Sequence, residues 1–302
     1  MNTSRLIIAG ALAFASTMAA AAETRLDERR PANADGVVEV SNVSGSVQLV
    51  GWNRNEVALE GTLAEGVERV EFTGGDGLTR IRVHLIRPDN EERHHQIDGN
   101  ARLVIRVPER SRMRVNTVSA GIQAERLNGP LELRSVSGDI RAAGGYTEAD
   151  LQSVSGRVQV SSSGRGARVT AGSISGDVEV EGMTGELTGS TVSGTVRVAT
   201  AGVSRAHLKS ISGEVAYEGP LAADGVYELE AVSGTARMVA TGRVNARFEL
   251  TTFNGAIRNG FGPRPERTSR YAPGQSLNFD EGSGGARVSM RSLSGTLRLD
   301  RR

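Results

Sequence analysis

The chain has 302 residues, no cysteine, 38 glycines and only 4% aromatic residues, and its formal charge is +1 at pH 7. Without cysteine there is no disulfide staple and no lipid-modified N-terminal cysteine, so packing and backbone pairing must hold the fold. A nearly neutral chain in which Lys209 is the only lysine and arginine supplies the remaining positive charge points to neither nucleic acid nor an anionic membrane as partner.

In chain order, residues 1–22 have the layout of a signal peptide: Arg5, an apolar run from Leu6 to Phe14, then small residues ending at Ala20, Ala21 and Ala22. The run is far shorter than the roughly 20 residues a spanning helix needs, and no later segment approaches that length, so no transmembrane anchor is expected. Cleavage after Ala22 removes one arginine and no acid, leaving 35 basic and 35 acidic residues. Residues 23–35 are polar and predict a flexible leader. Residues 36–115 carry strand-like stretches at irregular spacing ("GVVEVSNVSGSVQLVGW", "EVALEGT", "TRIRVHLI", "ARLVIRVP") and predict an antiparallel or mixed cap.

From residue 116 to 302 one phrase recurs: "TVSAGIQA" from Thr117, "SVSGDIRA" from Ser135, "SVSGRVQV" from Ser153, "SISGDVEV" from Ser173, "TVSGTVRV" from Thr191, "SISGEVAY" from Ser210, "AVSGTARM" from Ala231, "TFNGAIRN" from Thr252 and "SLSGTLRL" from Ser292. An earlier copy, "NVSGSVQL", begins at Asn42. Self-similarity at a short period means stacked units that bury their apolar side against one another. Alternation through Val158 and Val160, Val178 and Val180, and Val196 and Val198 makes those units strands.

The predicted fold is therefore all-β: a parallel β-solenoid (β-helix) of about 19-residue coils, right-handed because parallel crossovers favour that hand. Each coil is expected to be three-sided, with corners at the Val/Ile and at the Gly, the Gly either taking positive φ or lying close to the next coil. The Ser beside each Gly is read as bonding neighbouring backbone or the Ser of the next coil, since a nucleophile elbow needs a helix after it and none follows. The 40-residue gap from Gly255 to Gly295 reads as a coil that has lost its phrase to an insertion at 260–282, and the charged end at Asp300, Arg301 and Arg302 as a barrier to further stacking.

On the outer face, the position three after each corner Gly reads Arg141, Gln159, Glu179, Arg197, Ala216, Arg237, Arg258 and Arg298. The last three form an arginine stripe, and the insertion adds Arg264, Arg267, Arg270 and Tyr271, so these seven residues are the candidate binding site for an anionic partner. Carboxylate pairs such as Asp177 with Glu179 have the residue types for glycoside chemistry, but arginines are their expected partners and Trp52 is the only tryptophan for a sugar platform. His94 and His95 sit in a polar link, and adjacent strand residues point apart, so no metal is expected; no cofactor is expected either.

The stretches "VSNVSGSVQLVGWNRNEVALEGTL", "VIRVPERSRMRVNTVSAGI" and "TFNGAIRNGFGPRPERTSRY", together with the serial phrases, resemble the bacterial putative-adhesin family of β-strand-repeat envelope proteins, also catalogued as a domain of unknown function. Ala120 stands where that pattern has Gly. The resemblance implies an exported bacterial protein of the periplasm or cell surface with no catalytic residues. The expected role is a non-enzymatic one: a rigid surface that engages an envelope protein or an anionic polysaccharide. The alternatives are an accessory subunit of an envelope-stress regulatory system and, less favoured, a carbohydrate-active β-helix enzyme.

Overall fold

The structure is a computed structural model that describes residues 24–75, 77–86, 99–268 and 273–302. All described regular elements are strands, and they join into one 24-stranded sheet of mixed direction that wraps around a shared core. The first seven are β1 (Thr24–Pro31), β2 (Val37–Asn42), β3 (Ser44–Trp52), β4 (Glu56–Leu63), β5 (Val67–Gly75), β6 (Leu78–Leu85) and β7 (Asn100–Pro108). The repeating region supplies β8 (Arg112–Thr117), β9 (Gly121–Leu127), β10 (Leu131–Ser135), β11 (Ile140–Gly144), β12 (Glu148–Ser153), β13 (Val158–Ser162), β14 (Ala167–Ser173), β15 (Val178–Glu181), β16 (Thr184–Thr191), β17 (Val196–Ala199), β18 (Gly202–Gly219) and β19 (Val226–Ala240). The last five are β20 (Ala246–Thr252), β21 (Ala256–Asn259), β22 (Glu266–Arg267), β23 (Gln275–Glu281) and β24 (Ala286–Arg301).

Each repeat supplies two strands, one before and one after the phrase, where the sequence reading expects three sides. The strands before the phrase pair in parallel, so that Val115, Leu133, Leu151, Ala171, Gly189, Leu208 and Leu229 form one inward column. The strands after it form a second, running Ile122, Ile140, Val158, Val178, Val196, Val215 and Ala236. Nearly every member of both columns is buried, which is what an alternating β-branched and aliphatic pattern buys on a pleated surface with one wet face.

Two expectations about the phrase need correction, and a third resolves to one of its two alternatives. Its Val/Ile is not a corner at which the inward alternation breaks. The alternation runs on through the first phrase residue, so that Leu151 and Ser153 are buried and Val154 is 40% exposed. The hydroxyl that bonds the corner is likewise the first residue's, not that of the Ser beside Gly: Ser153 Oγ accepts from Gly156 N at 2.9 Å and donates to the Gly138 carbonyl at 3.2 Å, and Ser173 does the same with Gly176 and Gly156. Finally, most corner glycines keep negative φ; what they share is that an added Cβ would come under 3.0 Å from the backbone of the previous corner, as at Gly194 over Gly176.

The order in space departs from the order in sequence at both ends. Residues 24–31, expected to be part of a flexible leader, form β1, which pairs antiparallel with β4. β2 lies between β6 and β8, and β3 between β7 and β9, all in parallel. Glu39 of β2 accordingly accepts bonds from Arg80 on one side (3.1 Å) and Arg114 on the other (3.3 Å), and these, Arg80 first, hold its carboxyl below the usual range. At the other end β24 pairs with β19 on one edge and with β20 and β21 on the other. The C-terminal strand is thus interior to the stack, not its barrier. The described residues of the insertion contain no lost coil: β23 runs antiparallel to β20 and β22 antiparallel to β23. Phe248, Phe261 and Phe279 close the core there, with ring centroids 4.9 to 5.9 Å apart.

Candidate anion-binding stack

Because β24 enters between β19 and β21, the register places Arg237 beside Arg298 and Arg298 beside Arg258. The spatial order is 237, 298, 258, with each step about 4.8 Å, the distance between paired strands. Like charges at that spacing repel unless acids intervene. One does: Asp300, two residues beyond Arg298 on the same outer face, accepts from Arg298 Nε at 2.7 Å and lies 3.5 Å from Arg237 Nε. The longer contact is an ion pair without a hydrogen bond, and Arg237 Nε is buried with no hydrogen-bond partner. Arg258 is exposed and has no ion-pair partner among the described residues. Two of the three guanidinium groups therefore share one carboxylate, and the third, Arg258, is exposed beside them without an acid of its own among the described residues.

The other members of the predicted site are arranged differently. Arg264 and Arg267 are both exposed, and no described contact joins either of them to the stack. Arg267 belongs to β22, opposite Gln275 of β23, on the outer edge of β20. The loop is nonetheless anchored next to Arg258: Asn259 Nδ2 donates to the Pro263 carbonyl at 3.0 Å, and Ile257 N donates to Gln275 Oε1 at 2.8 Å. Arg270 and Tyr271 lie outside the described residues, as do His94 and His95. Asp300 was missed in the sequence, although its two-residue offset from Arg298 puts it on the same face. Its neighbours are also engaged: Arg301 meets Glu281 at 3.9 Å and sits 5.7 Å over the Phe261 ring, and Arg302 pairs with Glu218.

Asp177 and Glu179 serve the ladders. Asp177 Oδ1 accepts from Thr195 N at 2.9 Å and its other oxygen faces Arg157 at 3.9 Å. Glu179 accepts from Gln159 Nε2 at 2.6 Å and faces Arg197 at 3.7 Å. Each carboxylate is bound to the repeats above and below it. The described residues contain no group of three or more His, Asp or Glu side chains arranged to hold a metal ion, and no described helix is long and apolar enough to cross a membrane.

No protein-family model and no curated protein sequence matches this chain. Among solved structures it is similar to a putative adhesin from Bacteroides fragilis (10% identity, TM-score 0.44, covering 92% of this chain and 98% of that one). It is also similar to a putative lipid binding protein from Parabacteroides distasonis (14% identity, TM-score 0.38, 92% and 96%) and to a putative cell adhesion protein from Clostridium sporogenes (8% identity, TM-score 0.30, 93% and 100%). At these identities and TM-scores the likenesses carry no argument about what this chain does, and its own residues must supply one.

Proposed function

We propose that this chain is a non-enzymatic, exported bacterial envelope protein of the adhesin-like kind, and that its parallel ladders are the turns of a right-handed β-solenoid whose rigid flank engages an anionic polymer of the envelope, such as an acidic polysaccharide. The observation that carries the reading is the stack of Arg237, Arg298 and Arg258 with a single carboxylate among them. Guanidinium forks repeated at about 4.8 Å offer paired donors to successive carboxylate or phosphate groups of a chain-like ligand. The sheet fixes their spacing in advance, so little ordering is required when the ligand arrives. The proposed site extends to Arg264 and Arg267, exposed in the insertion that follows Arg258, and to Arg270 and Tyr271 of the same insertion, which lie outside the described residues.

Retention on immobilised polygalacturonate and heparin across a salt gradient tests this. The protein should be retained, and the Arg237→Glu/Arg258→Glu/Arg298→Glu protein should elute at clearly lower salt with an unchanged circular dichroism spectrum. Equal elution of the two proteins, or no retention of the native one on either polymer, would reject the reading.

A further inference from the structure

The outward-pointing Val/Ile of the phrase is repeated at every level, and the consequence is an apolar ridge. In spatial order it consists of Val118, Val136, Val154, Ile174, Val192, Ile211, Val232, Leu293 and Phe253, between 37% and 66% exposed. Backbone bonds from one corner to the next keep it unbroken: Ser137 N to Val118 O, Ser155 N to Val136 O, Ser175 N to Val154 O, Ser193 N to Ile174 O, Ser212 N to Val192 O and Asn254 N to Leu293 O. Ser233 is in register with both Ser212 and Ser294, which completes the series. Nine levels make a line roughly 40 Å long. Its exposed apolar area, on the order of 600 Å², is at the top of what a typical monomer leaves uncovered.

We propose that the ridge is the interface with a second copy of the chain, the two molecules lying side by side in the same direction about a two-fold axis parallel to the stack. Two ridges together bury on the order of 1,200 Å², the lower end of a specific interface, before their flanks are counted.

The flanks favour this partner and this direction. Around each corner the outward positions are the residue two before the Val/Ile, the Val/Ile itself, the Ser after it, and the residue three after it. A two-fold axis along the stack sets the Val column of one copy against the Ser column of the other, and brings the outermost positions together at each level. Arg134 then faces the partner's Asp139 and Lys209 faces the partner's Glu214, each twice by symmetry. Gln152 faces Arg157, Ser190 faces Thr195, Glu230 faces Thr235 and Arg291 faces Thr296. No level brings like charges together. Glu214 has no ion-pair partner within its own chain among the described residues. In the opposite direction at full overlap, Arg134 would meet Arg291 and Asp177 would meet Glu214, so charge selects the parallel pairing. The nearest charged columns carry three cations against one acid on one side (Arg134, Lys209, Arg291; Glu230) and one against three on the other (Arg157; Asp139, Asp177, Glu214), and that balance suits a copy of itself better than an anionic lipid surface.

Sedimentation velocity of the purified protein over a concentration series tests the proposal, with Ile174→Lys/Val192→Lys/Ile211→Lys as the disrupting variant. The native protein should be a dimer, and the variant, with three cations set into the centre of the ridge, should dissociate with a constant raised on the order of 100-fold or more. Those side chains are exposed, so folding should persist. As a second arm, Lys209→Glu should weaken the dimer and Lys209→Glu/Glu214→Lys should restore it. A native protein that remains a monomer, a dimer indifferent to the ridge variant, or a double charge swap that fails to restore what the single one lost would overturn the proposal. So would ridge-dependent flotation of a monomer with phosphatidylcholine vesicles, which would give the ridge to lipid.

Discussion

Replacing Gly194 with alanine separates two accounts of the corner. A Cβ on Gly194 would stand 2.9 Å from the Gly176 carbonyl carbon and 3.0 Å from Thr191 Oγ1, closer still to the Gly176 oxygen, and φ there is not in the left-handed region. The obstacle is backbone belonging to the preceding level, so it cannot rotate away. Overpacking of this kind costs about 1–3 kcal/mol. Alanine also restricts the unfolded chain and returns about 0.4–1 kcal/mol. The midpoints leave a net loss of about 1.3 kcal/mol, which at about 2–4 °C per kcal/mol lowers Tm by about 3–5 °C in a calorimetric scan. Gly166 is the control: its φ is +69° and nothing lies within 4 Å of a Cβ. There asparagine, which tolerates positive φ, should be nearly neutral, whereas Gly194→Asn should cost at least as much as Gly194→Ala. A Gly194→Ala protein that melts with the native one would refute the close-approach account.

Three further outcomes are expected. Ser153→Ala removes the acceptor of the Gly156 amide and the donor to Gly138, and should cost about 1–3 kcal/mol in urea unfolding. Ser155→Ala, two residues on and exposed, should stay within about 0.5 kcal/mol. Burial raises the pKa of Tyr146, Tyr217 and Tyr227. Their neutral forms are favoured in the folded state, so that share of stability is intact below the ordinary tyrosine value of about 10 and declines as pH rises beyond it. Tyr217→Phe should flatten the decline in melts taken between pH 9 and 11, although at neutral pH it forfeits the bond to the Pro220 carbonyl. Asp300→Asn removes the one carboxylate of the arginine stack and should move elution from polygalacturonate to higher salt.

The residues that made the fold legible are those whose spacing is local. Val158 and Val160, or Val178 and Val180, alternate within one strand, and the pattern alone gives a strand with one buried face. The 18- to 21-residue recurrence likewise reports which levels are neighbours wherever the chain climbs one level at a time. Both signals fail where pairing is non-local. Nothing in "ARVSMRSLSGTLRL" says that it slides between β19 and β20; that follows from β23, which takes the outer edge of β20 and leaves only its other edge open. The arginine stripe was legible as a set, while its order and its shared acid depended on that insertion. The ridge was illegible for a different reason. Apolar residues are assigned inward by default, yet in the phrase the buried position is a hydroxyl, because the close approach of successive corners leaves amides and carbonyls that a Ser or Thr must satisfy. The neighbouring valine then takes the outward position.

The treatment of the ends bears on how the molecule can associate. A stack of parallel strands would extend indefinitely through its open edges unless these are blunted. Here three of the four end walls are finished by strands of opposite direction, and the fourth ends in the short β21, which pairs with β24 in parallel. β1 and β4 close one wall and β5 the other at the N-terminal end, and β23 with β22 covers β20 at the C-terminal end. The outermost strands carry charge and proline: "TRLDERRP" in β1, and in β21, only four residues long, Arg258. Addition of a second molecule end to end would have to pair against those edges. What the fold leaves uncovered runs along the stack instead: the arginines on one flank and the valine ridge at the corner. A construction that closes its ends and repeats its sides is suited to lateral contact, in which each level adds a small increment and the total grows with the number of levels. On that logic, charge-reversing Asp27 and Glu28 of β1 to lysine should leave both the sedimentation of the protein and its retention on polyanions as they are, whereas loss of either property would place an interface at the capped end.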